Sequence, residues 1–339
     1  MPRQQTLLWI CNVLKAEGVH CSIVPSLRGD AMDHITVKKE ATMVSQVVCS
    51  APVGDHCGEG IVWDDTKSAL YWTDVTRFLI HRFDLVNQVM REWHFDEPVV
   101  ALSLTTRAET LLVALGSRLL LWNPTTDTRV DQGFKIDEWP DVRLNEGRTD
   151  PAGNFWVGSM RNNVNRDGSL RDANGSVGKL YRVATTGASS VWREGIGISN
   201  TMCWSPDRRQ FYFGDSLANT IYSYDWDPES SAISNERPFF KNFARGCPDG
   251  SVVDSQGYLW NCRFGGGCVV RVAPNGQIDR VIEMPIRNPT TCTFGGEGLR
   301  TLFITSAAIL SGSGDTLAGG LFELTVDEGG LPESRFSLA

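Results

Sequence analysis

From Met43 onward the chain is written in short runs of β type, separated by clusters of Gly, Asp, Asn and Pro, and stretches of helical periodicity are nearly absent. The pattern predicts an all-β fold. One phrase recurs along it, a turn containing Asp, Pro or Gly followed by a strand led by Leu or an aromatic residue: WDDTKSALYWTD, TTRAETLLVAL, DPAGNFWVGS, SPDRRQFYFGD, DSQGYLWNC and FGGEGLRTLFITS. The strand leaders are Leu70, Leu111, Phe155, Phe211, Leu259 and Leu302, separated by 41, 44, 56, 48 and 43 residues. Spacing of about 40 to 50 residues leaves room for four strands in each unit, which is what a propeller blade requires. Six repeats imply a six-bladed β-propeller. A helical solenoid of similar period would need amphipathic helices, and a β-sandwich would not repeat one phrase six times. One blade is too small to bury a core alone, so residues 43–339 are expected to form a single domain. The strand around Gln46 to Cys49 precedes the first repeat and is expected to close the ring by pairing with the last blade, because closure protects exposed strand edges.

Residues 1–42 read differently. Their apolar stretch, TLLWICNVL from Thr6 to Leu14, follows a single arginine and lacks a small-residue cleavage site, so it is not read as a secretory signal. The segment is expected to be an N-terminal extension, a short amphipathic helix or a disordered arm. Lys38, Lys39 and Glu40 then precede Met43, which is a candidate start of the folded domain.

The repeat supplies a geometric test. The first strand of every blade lines a propeller's central channel, so residues at equal distance before the strand leaders converge near the axis. Ten or eleven residues before the leaders stand Glu59, Asn145, Asn200 and Asp249. The same phase gives Val100 or Ala101 in the second repeat and Thr291 or Cys292 in the sixth. Two carboxylates confined together repel one another and resist desolvation, and a cation is the simplest compensation. Oxygen ligands from Glu59, Asn145, Asn200 and Asp249 suit one hard divalent ion, Ca²⁺ first, with Mg²⁺, Mn²⁺ or Zn²⁺ as alternatives. The five histidines, His20, His34, His56, His81 and His94, all lie outside this phase. A His-rich zinc site or a Ser-His-Asp triad is therefore hard to assemble.

Composition narrows the partners. A formal charge of −8, with both signs interspersed, offers no basic stripe for nucleic acid or anionic membranes. Nine cysteines without a C-x-x-C pair argue against a disulfide framework and for a reducing compartment, so a cytoplasmic protein is expected, a monomer or weak homo-oligomer. No apolar run approaches the roughly 20 residues of a membrane-spanning helix.

The local motifs are familiar. Cys57-Gly58-Glu59 with Val62-Trp63, the stretch RLNEGRTDPAGNFWVGSM, SN-x-x-x-WSPD at Ser199 to Asp207, and CPDG-x-x-x-D at Cys247 to Asp254 resemble the gluconolactonase, regucalcin and luciferin-regenerating enzyme family, the senescence marker protein-like lactonases. The resemblance covers roughly Met43 to the C-terminus. It implies a six-bladed propeller that hydrolyses a sugar-acid lactone at one divalent metal. It assigns metal binding to Glu59, Asn200 and Asp249, places Asn145 beside the metal in contact with substrate, and makes Arg143 a substrate-binding arginine. Arg143 also lies two residues before Asn145, so both share one face of a strand. Two departures stand out. The family's usual Asn-Asp-Gly is here Asn145-Glu146-Gly147, and a substrate-contacting glutamate of animal regucalcins, three residues after the methionine matching Met160, is here Asn163. The second leaves the pocket one negative charge short and changes which lactone it suits.

Chemically, a divalent ion polarises a ring ester and activates water. Asp249 is the expected general base, with Glu59 the second choice, while Arg143, Asn145 and Asn163 orient the sugar. The rival readings are a non-catalytic calcium-binding regulatory protein of regucalcin type, an interaction platform without metal, and a hydrolase of other strained esters. Weaker signals have bland readings. The run Asn163 to Gly168 is similar to the start of an EF-hand loop but reads as a polar loop, because its twelfth position is Asn174 and no helices flank it. Gly265-Gly266-Gly267 reads as a β-turn. Trp63, Trp72, Trp156, Trp204 and Trp260 read as packing residues between blades, and Cys57, Cys247 and Cys292 as small buried thiols.

Overall fold

The computed structural model describes residues 21–24, 34–37, 46–312 and 314–338. The chain divides into two compact units, Met1–Gln46 and Val47–Ala339. In the first, Cys21–Val24 pairs antiparallel with His34–Val37. The apolar run from Thr6 to Leu14, and Met43 itself, lie outside the described residues.

The second unit is a six-bladed β-propeller made of six four-stranded antiparallel sheets. Each repeat found in the sequence supplies the second strand of one blade. The innermost strands are Gly58–Asp64, Val99–Leu104, Val142–Thr149, Ser199–Trp204, Cys247–Val253 and Pro289–Gly295. They neighbour one another in a closed cycle, the sixth returning to the first. Inner and second strands are almost wholly buried, whereas outermost strands such as Val89–His94 and Ile278–Glu283 are largely exposed. Among the described residues the one helical element is a short 3-10 turn, Glu297–Leu299, and no helix is long and apolar enough to cross a membrane.

The core lies between blades. Val62, Tyr71 and Ile80 of blade 1 pack with Leu102, Val113 and Trp122 of blade 2, and equivalent apolar layers join the other neighbours. Three of the predicted packing tryptophans carry their indole N–H into this layer, where it needs an acceptor. Trp72 donates to Asp55 at 2.7 Å, Trp156 to Asp150 at 2.9 Å and Trp260 to Asp254 at 2.9 Å. Cys292 is fully buried as expected, but Cys57 and Cys247 are only half-buried, because they sit where inner strands enter from the loops.

Two terminal segments lock the ring. Val48–Ala51 forms the outermost strand of blade 6, pairing with Leu321–Thr325, so the closing strand begins two residues later than the sequence pattern placed it. At the other end of the chain, Gly330 to Leu338 runs beneath the far ends of the inner strands. Gly330 N–H donates to Leu299 O at 2.8 Å, Glu333 accepts from Thr293 Oγ1 at 2.6 Å, Phe336 exchanges backbone bonds with Leu104 and Thr106, and Ser337 N–H donates to Gly153 O at 3.1 Å. Phe336 is fully buried between blades 2 and 3. Its truncation, Phe336→Ala, is expected to lower the unfolding free energy by about 3–5 kcal/mol, read from the urea midpoint at unchanged slope.

Candidate functional site

The residues that converge on the axis do so because every inner strand breaks its pairing at the same place. Register shifts against the second strand lie between Glu59 and Val62, Val99 and Ala101, Leu144 and Gly147, Asn200 and Met202, Pro248 and Ser251, and Pro289 and Cys292. A bulge leaves a residue unpaired and re-aims the adjoining side chains. Here it falls on the phase occupied by Glu59, Asn145, Asn200 and Asp249. The geometry demands unusual residues just after the ligand positions. Gly60 has φ of +56°, and a Cβ there would meet Ala101 Cα at 3.0 Å. A Cβ on Gly250 would meet Thr291 Oγ1 at 2.1 Å. Blade 4 has Thr201 instead, held at φ of +50°, an outlier for a β-branched residue that costs about 1–3 kcal/mol.

Thr201 is retained by its hydroxyl, which donates to Asp249 O at 2.5 Å and shares a bond of 2.8 Å with Ser251 Oγ. Asn261 Nδ2 also donates to Asp249 O, at 3.2 Å. The strained residue therefore ties the strand of Asn200 to the strand of Asp249. A second tie runs through Ser216, which accepts from Asn200 Nδ2 at 2.8 Å and donates to Pro248 O at 2.6 Å. That bond fixes the Asn200 amide with its oxygen turned away from Ser216. The loops entering the inner strands are held by residues four places after the strand leaders. Asp74 accepts from the N–H groups of His56 (2.8 Å) and Cys57 (3.2 Å), and Asp215 from those of Gly197 (3.0 Å) and Ile198 (3.2 Å). Arg263 donates instead to Arg245 O at 3.0 Å and Gly246 O at 2.7 Å.

Asn145, Asn200, Arg143 and Asn163 form one hydrogen-bonded chain. Asn145 Nδ2 donates to Ser199 O at 2.8 Å and to Asn200 Oδ1 at 3.3 Å, while Asn145 Oδ1 accepts from Arg143 Nη1 at 2.6 Å. Arg143 also donates to Leu144 O at 2.9 Å and, from Nε and Nη2, to Asn163 Oδ1 at 3.0 and 2.8 Å. Glu59 and Asp249 belong to the same cluster electrostatically. The Glu59 carboxyl is pushed well above the usual range by burial, then by the Asp249 and Glu146 charges, with Arg143 opposing. The Asp249 carboxyl is raised by burial and by Glu146. Glu146, next to the Arg148 and Glu333 charges, is itself raised to about 7 by burial.

Among the described residues, no side chain donates a hydrogen bond to Glu59 or Asp249, and neither makes an ion pair. Two carboxylates held together without a cationic partner are the donor set of a hard divalent ion, and the free lone pair of Asn200 Oδ1 adds a neutral oxygen. No group of three or more His, Cys, Asp or Glu side chains could hold an ion among the described residues, so any cation there rests on two carboxylates completed by amide oxygens and water. His81 is engaged by Asp55 at 2.9 Å and packs at a tilt against Trp72, and His56 and His94 are exposed. The side chains of His20 and His34 lie outside the described residues. The loop from Asn163 to Gly168 forms a turn with no flanking helix, as read from the sequence.

A model of the SMP-30/Gluconolactonase/LRE-like region matches residues 57–308. The chain belongs to this family. It is 32% identical over 287 residues to a pentonolactonase of Haloferax volcanii, covering 82% of this chain and 94% of that protein. It is 34% identical over 257 residues to a 6-deoxy-6-sulfogluconolactonase of Pseudomonas putida, covering 74% and 83%. The crystal structure of the calcium-binding protein regucalcin from Agrobacterium tumefaciens superposes with a TM-score of 0.80 at 25% identity, covering 87% of this chain and 98% of that one.

Two outcomes follow from the geometry. In cation-free protein, Glu59 and Asp249 hold protons more tightly when folded than when unfolded, so their contribution favours folding below the ordinary carboxyl range near pH 4 and is lost as pH rises through their elevated values. Glu59→Gln is therefore expected to raise the melting temperature of chelator-treated protein, by a margin that widens from pH 4 to pH 8. Thr201→Val, which deletes the hydroxyl and leaves buried acceptors short, is expected to lose about 1–3 kcal/mol in urea unfolding, and Thr201→Ser less.

Proposed function

We propose that this propeller hydrolyses a sugar-acid lactone to the free acid at a single divalent cation held by Glu59, Asn200 and Asp249. The observation that carries the reading is a pair of carboxylates, raised by burial and by neighbouring negative charge, that among the described residues accept no side-chain hydrogen bond and make no ion pair. The naming of relatives as lactonases supports the reaction class, and the calcium-binding description of the Agrobacterium neighbour supports Ca²⁺ as the ion. Bound there, a divalent cation supplies Lewis acidity to the ester carbonyl and lowers the pKa of water.

The chain's own residues do the rest. Asp249 accepts a proton from the water that attacks the carbonyl carbon, and returns it to the ring oxygen as the acyl C–O bond breaks. Water and ring ester thus become a hydroxyl and a carboxylic acid, which ionises at neutral pH. Glu59, two blades round the ring on blade 1, completes the charge that holds the cation. Asn145 stands at the edge of the metal set, since one lone pair of its Oδ1 is already taken by Arg143. Arg143 and Asn163 orient the sugar. Holding the reacting groups this way raises their effective concentration.

Asp249→Ala is expected to reduce kcat/KM for aldonolactones at least a hundredfold with Ca²⁺ present, and chelation to abolish turnover in the wild type. Proton release from D-glucono-1,5-lactone, corrected for spontaneous opening, measures both. Cation binding without any enhanced release would favour the regulatory calcium-binding reading, and retained activity in Asp249→Ala would remove Asp249 as the base.

A further inference from the structure

Arg143 brings a positive charge into the site; the Glu59 charge reaches it, but without an ion pair. Its side chain is 5% exposed, and among the described residues it makes no ion pair. Each of its protein acceptors is neutral: Asn163 Oδ1, Asn145 Oδ1 and Leu144 O. A buried guanidinium is ordinarily matched by a carboxylate, because an unpaired buried charge is costly. The carboxylates facing this cluster are Glu59 and Asp249, and on the reading above both are committed to the cation. Two negative charges then balance a divalent ion, and the single charge of Arg143 is left over.

Asn163 shapes how that charge is presented. Its Oδ1 accepts from both Nε and Nη2 of Arg143, so the amide is oriented with Nδ2 pointing away from the guanidinium. Among the described residues Nδ2 has no acceptor, and Asn163 is half-buried. Arg143 Nη1 spends both of its hydrogens on Leu144 O and Asn145 Oδ1, Nε spends its one on Asn163, and Nη2 keeps one N–H in reserve. The free valences on this wall are donors only, and the wall is positive. A sugar hydroxyl, which wants both a donor and an acceptor, is half served there; an anionic oxygen pair is served fully.

We propose that the lactone this chain takes carries an anionic oxyacid group, such as a carboxylate, seated against Arg143 and Asn163. The inference rests on the lactonase reading and deepens it by naming the substrate class.

The matched pair D-glucaro-1,4-lactone and D-glucono-1,4-lactone differ only in a terminal carboxylate against a hydroxymethyl group. With Ca²⁺-loaded wild type, kcat/KM is expected to favour the charged lactone at least tenfold, with the preference shrinking as salt rises. Asn163→Glu gives Arg143 a carboxylate and removes the donor, so the preference should fall at least tenfold, mainly through KM for the charged lactone, while Asn163→Gln retains most of it. Equal kcat/KM for the two lactones, or a ratio unmoved in Asn163→Glu, overturns the proposal. Calorimetric titration of the open-chain acids separates this from the lactonase reading. If neither lactone is hydrolysed, that reading fails, and tighter binding of D-glucarate than of D-gluconate, lost in Asn163→Glu, upholds the anion seat; equal binding overturns it.

Discussion

Two carboxylates that repel one another sit at the centre of this propeller, and much of the surrounding structure exists to keep them there. Glu59 and Asp249 come from blades 1 and 5, both are raised by burial and by neighbouring negative charge, and Arg143 and Arg263 oppose this only from a distance, without an ion pair to either among the described residues. Left to themselves such groups would splay apart or draw in an arginine. The protein instead spends backbone strain and buried hydrogen bonds to fix them: a bulge in each inner strand, Thr201 in a left-handed conformation, and hydroxyl and amide donors on the Asp249 carbonyl. Such strain is tolerated where the surroundings over-determine it, and here a closed ring of six sheets does so.

The ring is symmetric in backbone and asymmetric in chemistry. All six inner strands bulge at one phase, yet blades 2 and 6 put Val100 and Thr291 there, both buried and uncharged. At that phase charge is confined to Glu59 on blade 1 and Asp249 on blade 5, with the neutral Asn145 and Asn200 on blades 3 and 4. The supporting struts show the same economy. The position four residues after each strand leader is Asp74 in blade 1 and Asp215 in blade 4, gathering backbone N–H groups, but Arg263 in blade 5, gathering carbonyls. One architectural slot thus serves opposite polarities according to which backbone groups the incoming loop leaves unsatisfied.

The fold was readable because a propeller is periodic, and a phrase repeated at blade length fixes both the number of blades and the phase that faces the axis. Glu59, Asn145, Asn200 and Asp249 were found on that phase without knowledge of any contact. The ring-closing strand starts at Val48, two residues after Gln46, since alternation alone does not say where pairing starts. Other features were out of reach for physical reasons. Thr201 looks like an ordinary strand residue until its φ is known, and Ser216 and Asn261 act through bonds between blades that no local pattern encodes. The bond between Asn145 and Arg143 was equally hidden, although their shared strand face was not. The Asp74 and Asp215 struts did leave a signal, the matching endings YWTD and YFGD at one place in the repeat.

The central claim is that one divalent cation occupies the axis between Glu59 and Asp249. Calorimetric titration of Ca²⁺ and Mn²⁺ into chelator-treated protein tests it directly. A single site per chain, saturable in the wild type and abolished by Glu59→Gln and by Asp249→Asn, is the predicted result. An absence of binding, or binding indifferent to both substitutions, would contradict it.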